Sequence, residues 1–275
     1  MGWAGEGWWK SQSPLTITGA MQRLSVVLVR HGKTDWNVEQ RWQGATDTSL
    51  NEEGREQARQ AALGQLSTML PIDRVYTSPL RRAVETAEII IQTWKDSGLI
   101  AADSDLTPIP HEGFKEPSLG PFEGMVRGDI LAKYSEKLSH LRSLSHNERI
   151  HASYFPETET VVETNNRLLA GLDAIHRTTK AREGTERVLV ITHSKVMESM
   201  LSVEYGAEYD SQKSQNLGTM LLHAASQAET VTADASLTQV GWTLHGLSGF
   251  SFRIAPDSNC TALSGWSASE TEDMT

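Results

Sequence analysis

The chain has 275 residues, enough for two domains of about 150 each, although single α/β domains of about 250 residues are common, and a chain this long buries roughly 70–75% of its unfolded surface without disulfides or a structural metal. One cysteine, Cys260, excludes an intrachain disulfide framework, and 35 acidic against 25 basic residues, a net charge of −10, exclude a broad electrostatic footprint for nucleic acid or an anionic membrane. Apolar runs fall short of the ~20 residues of a membrane span and the start, MGWAGEGWWK, lacks the basic and apolar regions of a secretory signal, so a soluble cytoplasmic protein is expected.

Residues 1–20 hold Trp3, Trp8 and Trp9 among Gly, Ser and Pro with no helical or alternating period, and read as an extension outside the core. The first strand is expected at Ser25 to Val29. A helix follows from about Asn51 to Met69, with Ala58, Ala61, Ala62, Leu63 and Leu66 on its apolar side and Ser49 and Glu52 spaced as a capping box. A second strand near Arg74 to Tyr76 leads into Ser78-Pro79, which reads as an N-cap with Pro at the first helical position, opening a helix to about Trp94. Further helices are expected around 125–145 and 159–180, then a buried strand at 187–192 feeding a helix at 194–204, and late strands at 217–224 and 239–245 near a sheet edge. The tail, 255–275, is polar, Ser/Thr-rich and acidic and reads as disordered, which leaves a working domain over 21–254. The alternation predicts an α/β fold, a three-layer sandwich with a mostly parallel central sheet flanked by helices.

In such sheets ligands bind beyond the carboxyl ends of the strands, where backbone N–H groups and helix N-termini favour anions. Two expected strands end in a histidine: VVLVRHGKTDWN places Arg30, His31 and Gly32 after the first, and VLVITHSKVM places His193 after another. Arg82 stands in the first turn of the helix opened by Ser78-Pro79. Taken singly, a strand-end histidine is more often a structural group, but two histidines and two arginines converging there make a pocket for a tetrahedral dianion. His140, His146 and His151 are spaced six and five apart, unlike the i, i+4 pair of a zinc helix, so no metal site is expected from them.

Over residues 24–224 the sequence resembles the histidine phosphatase superfamily, the phosphoglycerate mutase-like family. The resemblance rests on Arg30-His31-Gly32-Lys33-Thr34-Asp35-Trp36-Asn37, then Gln43-Gly44, Asp47, Leu50, Gly54 and Gln57-Ala58 in order. It continues through TSPLRRAVETA, which assigns the phosphate-binding arginine to Arg82 rather than Arg81, and EPSLGPFEG, which assigns the proton donor to Glu116 with Gly120, Glu123 and Gly124 in register. Glu159, Thr160 and Arg167 match a weaker helical motif. The resemblance implies a phosphoglycerate mutase-like fold in which neutral His31 attacks phosphorus through one ring nitrogen while the other donates to a nearby acceptor, such as a backbone carbonyl. Arg30, Arg82 and His193 would hold the non-bridging oxygens, and Glu116 would start protonated, donate to the leaving oxygen and then accept a proton from water. Asn37 would add a donor, and Thr34, Gln43, Gly44 and Ser194 would complete the substrate site; neither metal nor cofactor is implied.

This chain departs from the pattern at Ser194, where the family has glycine and where a side chain would crowd the phosphate or donate to it, and at Pro117, which biases Glu116 towards extended backbone. The residues after Glu116 resemble the phosphatase branch, including its fructose-2,6-bisphosphatase-like members. A phosphoglycerate mutase, and a catalytically silent scaffold or regulatory protein on the same fold, are the other readings. The insertion at about 125–158, which in this family closes over the pocket, carries Arg127, Lys133, Lys137, Arg142 and Arg149 against Asp129, Glu136 and Glu148 in its 125–155 stretch. A cationic lid on an acidic chain points to a small anionic phosphorylated substrate, such as a sugar bisphosphate or a phosphoglycerate. Oligomeric state is not legible, and no nucleic-acid or membrane partner is expected.

Overall fold

A computed structural model describes residues 23–179, 184–208, 213–225 and 241–251. The expected N-terminal extension, the acidic tail and Cys260 lie outside the described residues. Six strands form one sheet: β1 (Arg23–Arg30), β2 (Arg74–Thr77), β3 (Ile109–Pro110), β4 (Thr185–Thr192), β5 (Lys213–Ala225) and β6 (Gly241–Ser251). Their spatial order is β3-β2-β4-β1-β5-β6, parallel from β3 to β1, with β5 and β6 antiparallel.

Alternation along β1 and β4 divides the apolar residues between two faces. Leu24, Val26, Leu28, Val188 and Val190 pack with Leu168 and Leu172 of one helix, α7 (Val161–Arg177), and with Val196, Met197, Met200 and Leu201 of another, α8 (Ser194–Tyr205). Val27, Val29, Leu189 and Ile191 pack on the opposite face against Ala58 and Ala62 of α2 (Glu52–Leu63) and Ala83, Ala87, Ile90 and Trp94 of α3 (Arg81–Asp96). Strands buried on both faces explain the near-continuous runs VVLV and VLVI, and each such side chain removed from water contributes about 1.5–3 kcal/mol. The expected three-layer architecture is the observed one.

Several local boundaries differ from expectation. Asn51, not Ser49, caps α2 by accepting from the Gly54 N–H at 2.9 Å, because Ser49 lies too far ahead of the first helical turn. The helix ends at Leu63, which is 54% exposed, and a one-turn 3-10 helix over Gln65–Met69 carries the buried Leu66 instead. Helix α3 starts at Arg81 rather than Pro79: Ser78 turns the chain by accepting from the Leu80 N–H, and Asp47, from a remote loop, accepts from the Arg81 N–H at 2.7 Å. The expected helix at 125–145 is divided into α4 (Arg127–Lys133) and α5 (Ser135–Ser143), followed by α6 (His146–Ile150). The late strands are longer than expected, with β6 at one edge of the sheet and the unexpected β3 at the other.

Helices α2 and α3 follow β1 and β2 on one face, while α8 follows β4 on the other. The chain therefore leaves the adjacent strands β1 and β4 in opposite directions, and the register that pairs Arg30 with Thr192 puts the two exits side by side. That crevice is where an open α/β sheet receives its ligand.

Candidate active site

His31 and His193 leave the ends of β1 and β4, tied together by the His31 N–H, which donates to the Thr192 carbonyl at 3.0 Å. Their ring centroids lie 5.1 Å apart at an interplanar angle of 58°. His31 is buried, and its Nδ1 lies 2.7 Å from the Gly32 carbonyl oxygen. A carbonyl can only accept, so Nδ1 carries the proton and Nε2 keeps its lone pair. Burial, then the charges of Arg82 and Arg30, hold the His31 pKa well below its usual value; burial and then Arg82 do the same to His193. Both imidazoles are neutral near pH 7.

Arg82 is 1% exposed, whereas its neighbour Arg81 faces solvent. Its guanidinium donates from Nη1 to the Thr46 carbonyl at 2.7 Å and from Nη2 to the Gly44 carbonyl at 2.8 Å. Gly44 adopts a φ of +52°, and an added Cβ there would come within 2.4 Å of Glu123 Oε1. Glu123 in turn accepts from the N–H groups of Ala45 and Leu119 and the hydroxyls of Thr46 and Ser118, so it fastens the Gly44 loop to the loop that follows Glu116. Arg30 donates from Nη1 to the Ser214 carbonyl. Burial lowers the Arg82 pKa to about 10, which still leaves it charged at pH 7.

Glu116 lies in an extended loop held from both sides. Upstream, Arg167 donates to the carbonyls of Glu112 and Gly113 while paired with both Glu159 oxygens, and Thr192 donates to the Phe114 carbonyl. Burial raises the Glu116 pKa to about 7 against the opposing pull of Arg82. Its Oε1 accepts weakly from the Lys195 N–H at 3.4 Å. Shielded Nε atoms of Arg30 and Arg82, both ring nitrogens of His193 and Oε2 of Glu116 have no hydrogen-bond partner. Buried polar groups are ordinarily satisfied, so this convergence of orphan donors and one acid marks a place built for an oxygen-rich anion.

The remaining sequence candidates divide. Thr34 and Asn37 form a reciprocal cap on the short α1 (Asp35–Val38): the Thr34 hydroxyl donates to Asn37 Oδ1 and accepts from the Asn37 N–H. That occupies the Thr34 proton and leaves the Asn37 Nδ2 as the group able to donate. Gln43 accepts from the Thr48 hydroxyl at 2.7 Å, and the Gly44 carbonyl holds Arg82. Ser194, expected to crowd the phosphate or donate to it, has its hydroxyl engaged within the protein. Its hydroxyl donates to Glu198 Oε1 at 2.6 Å and lies 2.6 Å from Ser214 Oγ, which leaves no proton for a phosphate oxygen. His146 donates to the Ser202 carbonyl of α8 and His151 to that of Asn147, so His146 ties α6 to the body and His151 closes the end of α6. Among the described residues no group of three or more His, Cys, Asp or Glu is placed to hold a metal ion.

Sequence reasoning missed Glu198, Ser214, Thr86, which accepts from the Gly32 N–H, and Asn216, whose Nδ2 donates to the His31 carbonyl at 2.9 Å. Glu198 had one signal, an acidic residue in the otherwise apolar stretch VMESML.

A cavity of about 300 Å³ lies between helices α4–α6 and the body, next to Pro117 and Ser118. Ile130, Leu131, Leu138 and Leu141 line it together with Arg127, Arg142, Arg149 and Lys195. Lys133 and Lys137 do not line it; their ammonium groups lie over the rings of Tyr134 and Phe155.

A profile described as Histidine phosphatase superfamily (branch 1) matches residues 26–228. A protein named uncharacterized phosphatase PhoE, from Bacillus subtilis, is 29% identical over 197 residues, which cover 72% of this chain and 86% of that relative. A 2,3-bisphosphoglycerate-dependent phosphoglycerate mutase of Parvibaculum lavamentivorans is 29% identical over 178 residues, covering 64% of this chain and 77% of that one. The structure of a phosphoglycerate mutase from Bacillus anthracis superposes with a TM-score of 0.62 at 21% identity, covering 82% of this chain and 92% of the other, a likeness of fold.

Proposed function

Since the chain belongs to the histidine phosphatase superfamily, branch 1, we propose that it is a phosphatase that hydrolyses a small anionic phosphomonoester by way of a phosphohistidine at His31. The observation that carries this reading is the convergence of the neutral, tautomer-fixed His31 with the orphan donors of Arg30, Arg82 and His193 and with Glu116, whose pKa burial raises to about 7.

His31 Nε2 attacks phosphorus in line, the P–N bond forms as the bond to the leaving oxygen breaks, and that oxygen takes the proton of Glu116. Arg30, Arg82, His193 and the Asn37 amide hold the non-bridging oxygens, where fixed donors stabilise the transferring group without reorganising. Water then attacks the phosphorus, Glu116 accepts its proton, the P–N bond breaks and phosphate leaves. Beyond Glu116, the arginines and Lys195 of the lid cavity support a leaving group with its own negative charge, such as that of a sugar bisphosphate or a phosphoglycerate.

A mutase reading is favoured by the Parvibaculum relative. Incubation with 3-phosphoglycerate and a trace of 2,3-bisphosphoglycerate decides between them. Phosphate release is expected to outpace formation of 2-phosphoglycerate; rapid isomerisation with little phosphate would replace hydrolase by mutase.

A further inference from the structure

The proposed reaction leaves unused a buried acid that stands beside its residues. Glu198 on α8 is 2% exposed, and a carboxylate persists at such a place only when it is paired. Its partners come from two elements: Ser194 donates to Oε1 at 2.6 Å, Lys195 places Nζ 2.8 Å from Oε2, and Ser214 on β5 places Oγ 3.2 Å from Oε1. Ser214 reaches further, because its backbone carbonyl accepts from Arg30. Lys195 does too, because its N–H is the one that meets Glu116. Burial works to raise the Glu198 pKa, but Lys195, the Ser194 hydroxyl and Arg30 outweigh it, so the group is charged.

We propose that Glu198 is a positioning residue of the phosphoryl site, which through Ser214 and Lys195 holds Arg30 and Glu116 in their working places. This also gives Ser194 a role: the hydroxyl that departs from the family's glycine closes the Glu198–Ser214 link. The inference rests on the phosphatase reading for its kinetic part only. A second consequence follows from charge alone. The charged groups acting on Glu116 are Arg82 from α3, Arg30 from β1, and Lys195 and Glu198 from α8, and of these only Glu198 works to keep it protonated.

The test compares Glu198→Gln, nearly isosteric but neutral, and Glu198→Asp, charged but shorter, with the wild type. Turnover of p-nitrophenyl phosphate against pH reads kcat, and infrared titration of the Glu116 carboxylic acid stretch, identified by its loss in Glu116→Gln, reads protonation without turnover. In Glu198→Gln, kcat is expected to fall roughly 10- to 100-fold through misplaced donors, and the Glu116 midpoint to move down by about one pH unit. Glu198→Asp is expected to restore the midpoint. A folded Glu198→Gln variant whose midpoint stays put overturns the proposal, whether or not kcat drops, because packing alone then explains the residue. If Glu198→Gln does not fold, Glu198→Asp carries the test, with a kcat loss of at least about threefold expected and wild-type kcat overturning the proposal. A wild type that never turns over sinks the phosphatase reading, and the infrared midpoint then judges Glu198 by itself.

Discussion

In the proposed reaction, protonation at two residues would set the working pH. His31 would act deprotonated, and because burial and two arginines press its pKa well below the usual value, the rising limb of kcat is expected well below pH 6.5. Glu116 would begin protonated, so kcat is expected to fall as pH rises through about 7. The same raised pKa is a stability statement. The folded protein holds a proton on Glu116 that the unfolded chain gives up near pH 4.5, so the benefit is complete below about 4.5 and is lost as pH rises to about 7. Glu116→Gln, neutral throughout, is therefore expected to gain stability over the wild type across that window, by up to about 3 kcal/mol above pH 7, while losing turnover. Thermal melts of both proteins from pH 4 to 8 check it; a constant difference across the range would contradict it. At this scale the sequence was most legible where a candidate site residue directly follows an apolar strand run, as His31 and His193 do. Asn216 was not legible, because its partner lies 185 residues away at His31, and Glu198 was not, because its link to the site runs through Ser214 on another element.

The turn from β1 into α2 depends on two backbones in close approach. Asn51 accepts from the Gly54 N–H, and an added Cβ on Gly54 would fall 2.0 Å from the Lys33 carbonyl oxygen. Lys33 cannot yield freely, since its own N–H donates to Gln57 and its carbonyl accepts from the Asn51 N–H. Gly54→Ala is therefore expected to destabilise the fold by about 2–4 kcal/mol and to displace the loop that carries His31. Urea unfolding measures the first, and a loss below about 0.5 kcal/mol would contradict the packing described. Elements with long apolar periods, such as α7 and β4, were legible almost to their ends. The starts of α2 and α3 were not, because the competing caps differ in geometry and Asp47 reaches α3 across 34 residues. Strand β3, two exposed residues long, carries no pattern to read.

At the scale of the whole molecule, the acidic chain presents, between α4–α6 and the body, a cavity lined by Arg127, Arg142, Arg149 and Lys195 against Glu159. The composition of 125–155 showed the excess of positive charge but not its direction: Lys133 and Lys137 cover aromatic rings, while the exposed Arg127 and Arg142 line the cavity. Changing these two arginines to Gln is expected to lower kcat/KM for a sugar bisphosphate roughly 3- to 10-fold and for a simple monophosphate much less, and raising salt from 0.1 M to 1 M should reproduce that selectivity as the screening length shrinks from about 10 Å to about 3 Å. Equal losses for both substrates would return the lid charges to a solvated surface. Assembly of the centre from three strand exits makes one covalent state its signature. Rapid acid-free quenching of the protein with labelled p-nitrophenyl phosphate, followed by peptide mass spectrometry, is expected to find acid-labile phosphate on His31 in the wild type, more of it in Glu116→Gln, where hydrolysis of the intermediate lacks its base, and neither label nor turnover in His31→Ala. Turnover that persists in His31→Ala, or phosphate trapped on another residue, would contradict the account.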